Sequence, residues 1–187
     1  MRPVQIKAGE VITKACCVVY DKDGTLVDFH SVWGPRMVRS ANALLAAANL
    51  SDDFADHLYR AVGYDPITNH TFGQGPLASA PLDQLVIVVA TAMFQSGITW
   101  DKAFELSNTY LLPLMAAQPE AKEITPRGDV LSPLRTLQHH GCQLVVATTD
   151  NRDSTHSMLR HLGIWDCFNQ VICGDDPGPV KPDPEVL

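Results

Sequence analysis

A chain of 187 residues, 45% apolar and 19% charged, can bury roughly 70% of its unfolded surface and has an ordinary globular balance. Its formal charge of −7, from 14 basic and 21 acidic residues, excludes nonspecific nucleic-acid binding, which needs a basic footprint. It does not exclude a small anionic ligand, because a local site can oppose the global sign.

The N-terminal stretch MRPVQIKAGEVITKA has neither a long apolar run nor a small-residue cleavage site, so no signal peptide is read there. Residues 15–20, ACCVVY, form a short apolar run rich in β-formers that stops on Asp21. Near-continuous hydrophobicity predicts a strand covered on both faces, as in a parallel sheet. The run is followed by DKDGT, which places Asp23, Gly24 and Thr25 just beyond the strand end.

Helical patterns occupy 35–50, 52–63, 81–97 and 99–118, with a turn-rich stretch at 64–81. The longest apolar run, LVIVVATAMF at 85–94, is about half of a membrane span. It reads as the core helix of an inserted domain, with a dimer interface as the alternative. A helical segment of this length between two strands is read as a separate domain at 27–126, with hinges near 26–29 and 124–128.

Helix–strand–helix–strand follows: helices at 129–141 and 152–163, strands at 143–148 and 168–173. Both helices close on glycine. This alternation predicts an α/β fold with a doubly wound parallel sheet, built from 1–26 and 127–187. The five cysteines (Cys16, Cys17, Cys142, Cys167 and Cys173) lack C-x-x-C spacing. That argues against zinc and for free, mostly buried thiols in a reducing cytoplasmic setting.

In a parallel sheet, ligands sit beyond the carboxyl ends of the strands. Asp21, Asp23, Thr148 and Lys181 all fall there. A carboxylate can attack phosphorus to form an aspartyl phosphate. Since carboxylate and phosphate repel, a cation such as Mg2+ must stand between them. A second carboxyl can protonate the leaving oxygen and later deprotonate water. Crowding two carboxyls raises the pKa of at least one. Gly24 allows a tight turn with N–H groups toward phosphate. Thr148 and Lys181 are placed to hold phosphoryl oxygens. Thr149 rivals Thr148 for that place.

DKDGT resembles the first motif of the haloacid dehalogenase superfamily, LVVATTD its second, and DDPGPVKPDPEVL its third, with Lys181 followed by Pro182. LRHLGIWDCFNQVICGDD is similar to the phosphoglycolate phosphatase-like branch, which carries an inserted helical cap. The resemblance implies a Rossmann-like core with a cap and a phosphatase acting on a small phosphorylated metabolite. It implies Asp21 as nucleophile and metal ligand, and Asp23 as general acid/base that binds Mg2+ through its carbonyl. Thr25, Thr148 and Lys181 then serve the phosphate and its loop. Asp23 points away from dehalogenases, whose halide leaves without a proton.

The family's fourth motif, an acidic metal-ligating strand end, is not found, and the resemblance therefore implies a chain cut short before it, an incomplete core, weak Mg2+ binding and little turnover. A phosphomutase and a non-catalytic binding or regulatory module are the alternatives, and monomer and homodimer are both compatible. Asp175 and Asp176 read as turn formers, His139 and His140 as helix-end residues, and His30 and Trp33 as candidates to face substrate.

Overall fold

The computed structural model describes residues 3–179, 181 and 183–186. Contacts divide it into two units, 1–28 with 119–187, and 29–118.

The first unit opens with an antiparallel hairpin, β1 (Val4–Ala8) and β2 (Val11–Ala15), in which Ala8 faces Val11 across a Gly9–Glu10 turn. The sequence reading passed over this hairpin. A glycine-led two-residue turn between alternating VQIKA and VITKA is the signal that marks it.

The central element is a three-stranded parallel sheet of order β3–β6–β7, with β3 at Cys17–Tyr20, β6 at Gln143–Ala147 and β7 at Gln170–Ile172. The predicted strands at 15–20, 143–148 and 168–173 are these three, trimmed at their ends. Helix α7 (Leu131–His139) leads into β6, and α8 (Arg152–His161) links β6 to β7. His139 ends α7 and His140 caps it, the latter's Nδ1 lying 2.8 Å from the Thr136 carbonyl oxygen.

The chain crosses the sheet in one direction, from β3 to β6 to β7. Right-handed crossovers then put both helices on the same face. Accordingly Leu134 of α7 and Leu159 of α8 share a core with Leu144 and Val146, and Val18, Tyr20 and Val171 pack against it. Alternation sends Cys17 and Val19 the other way, where Val19 is 41% exposed. The expectation that β3 is covered on both faces therefore fails for this face. Cys17 likewise departs from the buried-thiol reading, while Cys142, Cys167 and Cys173 are buried and none of the five forms a disulfide.

The second unit is helical: α1 (Phe29–Ala48), α2 (Asp52–Val62), α3 (Pro76–Ser79), α4 (Leu82–Gln95), α5 (Trp100–Leu106) and α6 (Leu112–Ala116). A two-residue antiparallel pair, β4 (Tyr64–Asp65) with β5 (His70–Thr71), lies within the turn-rich stretch. Leu85, Val86, Val89, Ala90 and Met93 of α4 join Met37, Leu44 and Leu58 in this unit's core. Each of these buried Leu, Val and Met side chains contributes ~1.5–3 kcal/mol of transfer free energy.

Two helix readings shift. Helix α1 begins ahead of Pro35 rather than at it, so the proline sits inside and leaves one ladder bond unmade. The single helix expected at 99–118 is broken by a π-helical segment, Ser107–Leu111. Pro113 explains this: it has no N–H to give and its ring crowds the preceding turn, so the ladder widens before it. Buried Arg36 donates to the Met115 carbonyl oxygen at 3.2 Å, satisfying an orphan acceptor at the end of α6.

The second boundary lies at 118/119 rather than at 126. The cause is local pairing. Asp28 N–H donates to Thr125 O at 2.8 Å, and Arg127 N–H to Leu26 O at 3.1 Å. Val27 bridges Pro126. Residues 119–126 are thereby stitched to the loop after β3. Among the described residues no helix is long and apolar enough to cross a membrane.

Candidate active site

The loop after β3 is a knot tied on one carbonyl. Lys22 O accepts from Thr25 N–H at 3.3 Å, Leu26 N–H at 2.9 Å and Val27 N–H at 3.0 Å. Gly24 has φ +80°, a conformation that a side chain would strain. Its N–H is donated to Val27 O at 2.8 Å. The expected outward aim of this N–H is therefore not seen, because the loop closes on itself. Thr25 is exposed on the same turn.

Asp21 stands directly at the carboxyl end of β3, with its side chain 42% exposed. Lys181 Nζ lies 2.6 Å from Asp21 Oδ1 and donates to Ala147 O at 3.0 Å, at the end of β6. Thus one ammonium ties the ends of two adjacent strands. Pro182, which completes the third motif, lies outside the described residues. A cavity of about 370 Å3 opens here, with Asp21, Lys181 and Asp183 as its charged lining and Val19, Ala147 and Val186 among its apolar walls.

Thr148 continues β6. Its N–H donates to Ile172 O at 3.0 Å, and its buried Oγ1 accepts from Asp150 N–H at 3.1 Å. That leaves the hydroxyl hydrogen available for donation. Thr149 is exposed, and its carbonyl packs on Gly174: a Cβ built at Gly174 would sit 2.1 Å from Thr149 O. Only glycine fits that crossing.

Asp23 and its surroundings hold what the sequence reading missed. Lys22 is fully buried, with Nζ 2.9 Å from Asp23 Oδ2 and 2.8 Å from Asp150 Oδ2. Burial pulls the Lys22 pKa down, but the two carboxylates outweigh it and the net shift is upward. Asp23 is pushed above the usual carboxylate range, chiefly by burial, with Asp150 and Asp21 adding like-charge repulsion and Lys22 opposing it. Asp23 Oδ1 is buried and has no hydrogen-bond partner among the described residues. Neither Lys22 nor Asp150 could be singled out from spacing. A lysine between two acids reads as a solvated loop charge.

Asp175 and Asp176 lie in the loop after β7. Asp175 Oδ1 accepts from Arg152 N–H at 2.9 Å, at the start of α8. Asp176 pairs with the Arg152 guanidinium, which holds its carboxyl below the usual range. Both are turn formers, as read, and both also fasten α8. Asn151 caps that helix by accepting from Ser154 N–H at 2.8 Å.

His30 and Trp33 belong to the helical unit. His30 Nδ1 accepts from Thr71 N–H at 3.1 Å, and Trp33 stacks on Phe29 with ring centroids 5.9 Å apart.

The donor chemistry fits Mg2+. The Asp21 carboxylate and the Asp23 carbonyl offer hard oxygen donors, and Mg2+ is typically held by one or two carboxylates with water and substrate phosphate. Among the described residues no group of three or more His, Cys, Asp or Glu converges into an all-protein cage.

The family model of the haloacid dehalogenase-like hydrolases matches residues 17–187. The chain belongs to that family. The resemblance to the superfamily therefore holds. The chain is 25% identical over 174 residues to a phosphoglycolate phosphatase of Rhodobacter capsulatus, covering 92% of this chain and 68% of that relative. Its fold is similar to that of a HAD-superfamily hydrolase from Geobacter sulfurreducens (TM-score 0.55, 15% identity, 92% and 69% of the two chains). It is also similar to that of a HAD phosphatase from Thermococcus onnurineus (TM-score 0.54, 19% identity, 91% and 67%). Membership in the family makes this chain a hydrolase with an α/β core.

Proposed function

We propose that this HAD-family hydrolase is a Mg2+-dependent phosphatase of a small phosphomonoester, working through an aspartyl phosphate on Asp21 in a cytoplasmic setting. The observation that carries the reading is the junction at the strand ends, where Lys181 bridges Asp21 and the Ala147 carbonyl. A nucleophilic carboxylate is held beside a fixed positive charge, in a cavity of metabolite size.

A carboxylate oxygen of Asp21 attacks phosphorus, and the bond from phosphorus to the ester oxygen breaks. Asp23, whose pKa burial raises, gives its proton to the departing oxygen. It then takes a proton from water as that water attacks the phosphoryl group, and Asp21 is released. Thr148 donates its hydroxyl hydrogen to a phosphoryl oxygen, and Lys181 neutralises charge spreading over the others. Mg2+, when bound by Asp21 and Asp23, supplies shielding between carboxylate and phosphate.

The test is a screen of small phosphorylated metabolites, run with Mg2+ and with EDTA, on the unchanged protein and on Asp21→Asn. Slow hydrolysis that needs Mg2+ and disappears in Asp21→Asn is expected. Undiminished turnover in Asp21→Asn would remove Asp21 as nucleophile, and no hydrolysis of any ester would overturn the phosphatase reading.

A further inference from the structure

We propose that Lys22 is a positioning residue: anchored on Asp150, it holds Asp23 by Oδ2 and so fixes the direction from which that carboxyl delivers its proton. This rests on the phosphatase reading above and adds to it the residues that aim its acid.

The ammonium of Lys22 has three hydrogens to give. Its three polar neighbours among the described residues are Asp23 Oδ2 at 2.9 Å, Asp150 Oδ2 at 2.8 Å and Met158 Sδ at 3.1 Å. The side chain is fully buried. It therefore has no donor left for phosphate, which excludes a direct contact with substrate. Both ends of the residue are fixed. Its carbonyl ties the loop knot, and its Nζ reaches Asp150 beyond β6 and Met158 in the middle of α8.

Neutralising two carboxylates would be a sufficient role for a purely structural lysine. Buried ion pairs, however, are poor sources of stability, because desolvation offsets the attraction. The asymmetry at Asp23 points elsewhere. One oxygen is pinned, while the other is buried and has no hydrogen-bond partner among the described residues. A free carboxyl can rotate and present either oxygen; this one is locked by Lys22, which is itself locked by Asp150. Deleting Lys22 lets Asp23 turn, and the proton is then delivered from a spread of positions.

A leaving-group comparison tests this. An alkyl phosphate needs a proton on its departing oxygen, whereas p-nitrophenyl phosphate leaves as a stable anion. The quantity to read is kcat/KM, which stops at formation of the aspartyl phosphate and excludes the water-dependent step that the two esters share. In Lys22→Met, kcat/KM for the alkyl ester is expected to fall by about 10²-fold or more, the usual weight of a general acid. The value for p-nitrophenyl phosphate should change little.

Asp150→Asn, which leaves Lys22 its pair with Asp23, should show the same split to a smaller extent. It carries the test if Lys22→Met does not fold. Equal losses on both esters would overturn the proposal and leave Lys22 a structural charge. Hydrolysis of neither ester by the unchanged protein would instead overturn the phosphatase reading, and this proposal with it.

Discussion

Lys181 Nζ meets Asp21 Oδ1 at 2.6 Å across 160 residues of chain. The two side chains are 34% and 42% exposed, so the pair contributes little to folding, about 0–1 kcal/mol. Its weight lies in the site. Lys181→Ala is expected to lower kcat/KM for a phosphomonoester by roughly 10²–10³-fold, the scale of losing one charge-stabilising donor. Its melting temperature should barely move. Steady-state kinetics beside a thermal melt check this; a large loss of stability with intact turnover would reverse the assignment.

Gly174→Ala should do the opposite. A Cβ there would lie 2.1 Å from the Thr149 carbonyl oxygen, a backbone atom that cannot swing aside. The overpacking should cost about 1–3 kcal/mol, read as a lower urea midpoint. Because Thr149 follows Thr148, the displacement should also weaken phosphate binding, seen as a higher KM for the ester or a higher inhibition constant for inorganic phosphate.

Asp176 gives a pH dependence of known sign. Its hydrogen bond to Arg152 holds its folded pKa below the unfolded value of about 4. The stability it supplies is full above that unfolded value and is lost as pH falls through the lower, folded one. Urea midpoints followed from pH 6 downward should therefore fall more in the unchanged protein than in Asp176→Asn. Parallel curves would remove Asp176 from the acid response.

Asn151→Ala removes the side chain that accepts from Ser154 N–H at the start of α8. The expected loss is about 1 kcal/mol, measured by denaturant titration. Asn151→Asp should keep the cap and add a favourable charge at the helix N-terminus. A destabilised Asn151→Asp would show that the cap is not what this residue provides.

The parts of this fold that follow a period were legible in the sequence. The strands ending at Tyr20, Ala147 and Ile172 and the flanking helices were read from apolar runs and glycine stops. Asp21, Asp23, Thr148 and Lys181 were found by their place at strand ends, and the structure brings Asp21 and Lys181 into contact. The hairpin of β1 and β2 and the break before Pro113 carried local signals that a coarse reading overlooked. Lys22 and Asp150 carried none. Whether a loop lysine is solvated or fully buried is set by Met158 and Asp150, which reach it from distant chain, and no local pattern encodes that. The uncovered face of β3 was implied by strand order and crossover handedness, neither of which an apolar run reveals by itself.

That uncovered face has a practical consequence in thiol chemistry. Cys17 points out of it, whereas Cys142, Cys167 and Cys173 are buried and burial raises their pKa values. A maleimide at neutral pH should therefore label Cys17 well ahead of those three, a sequence that peptide mass mapping can read. A fluorophore placed there would sit at the root of the strand that ends in Asp21. Its emission would report whatever comes to lie against the bare side of the sheet, be it another copy of the protein or further polypeptide. The strand that ends in Asp21 thus carries its own attachment point for a probe.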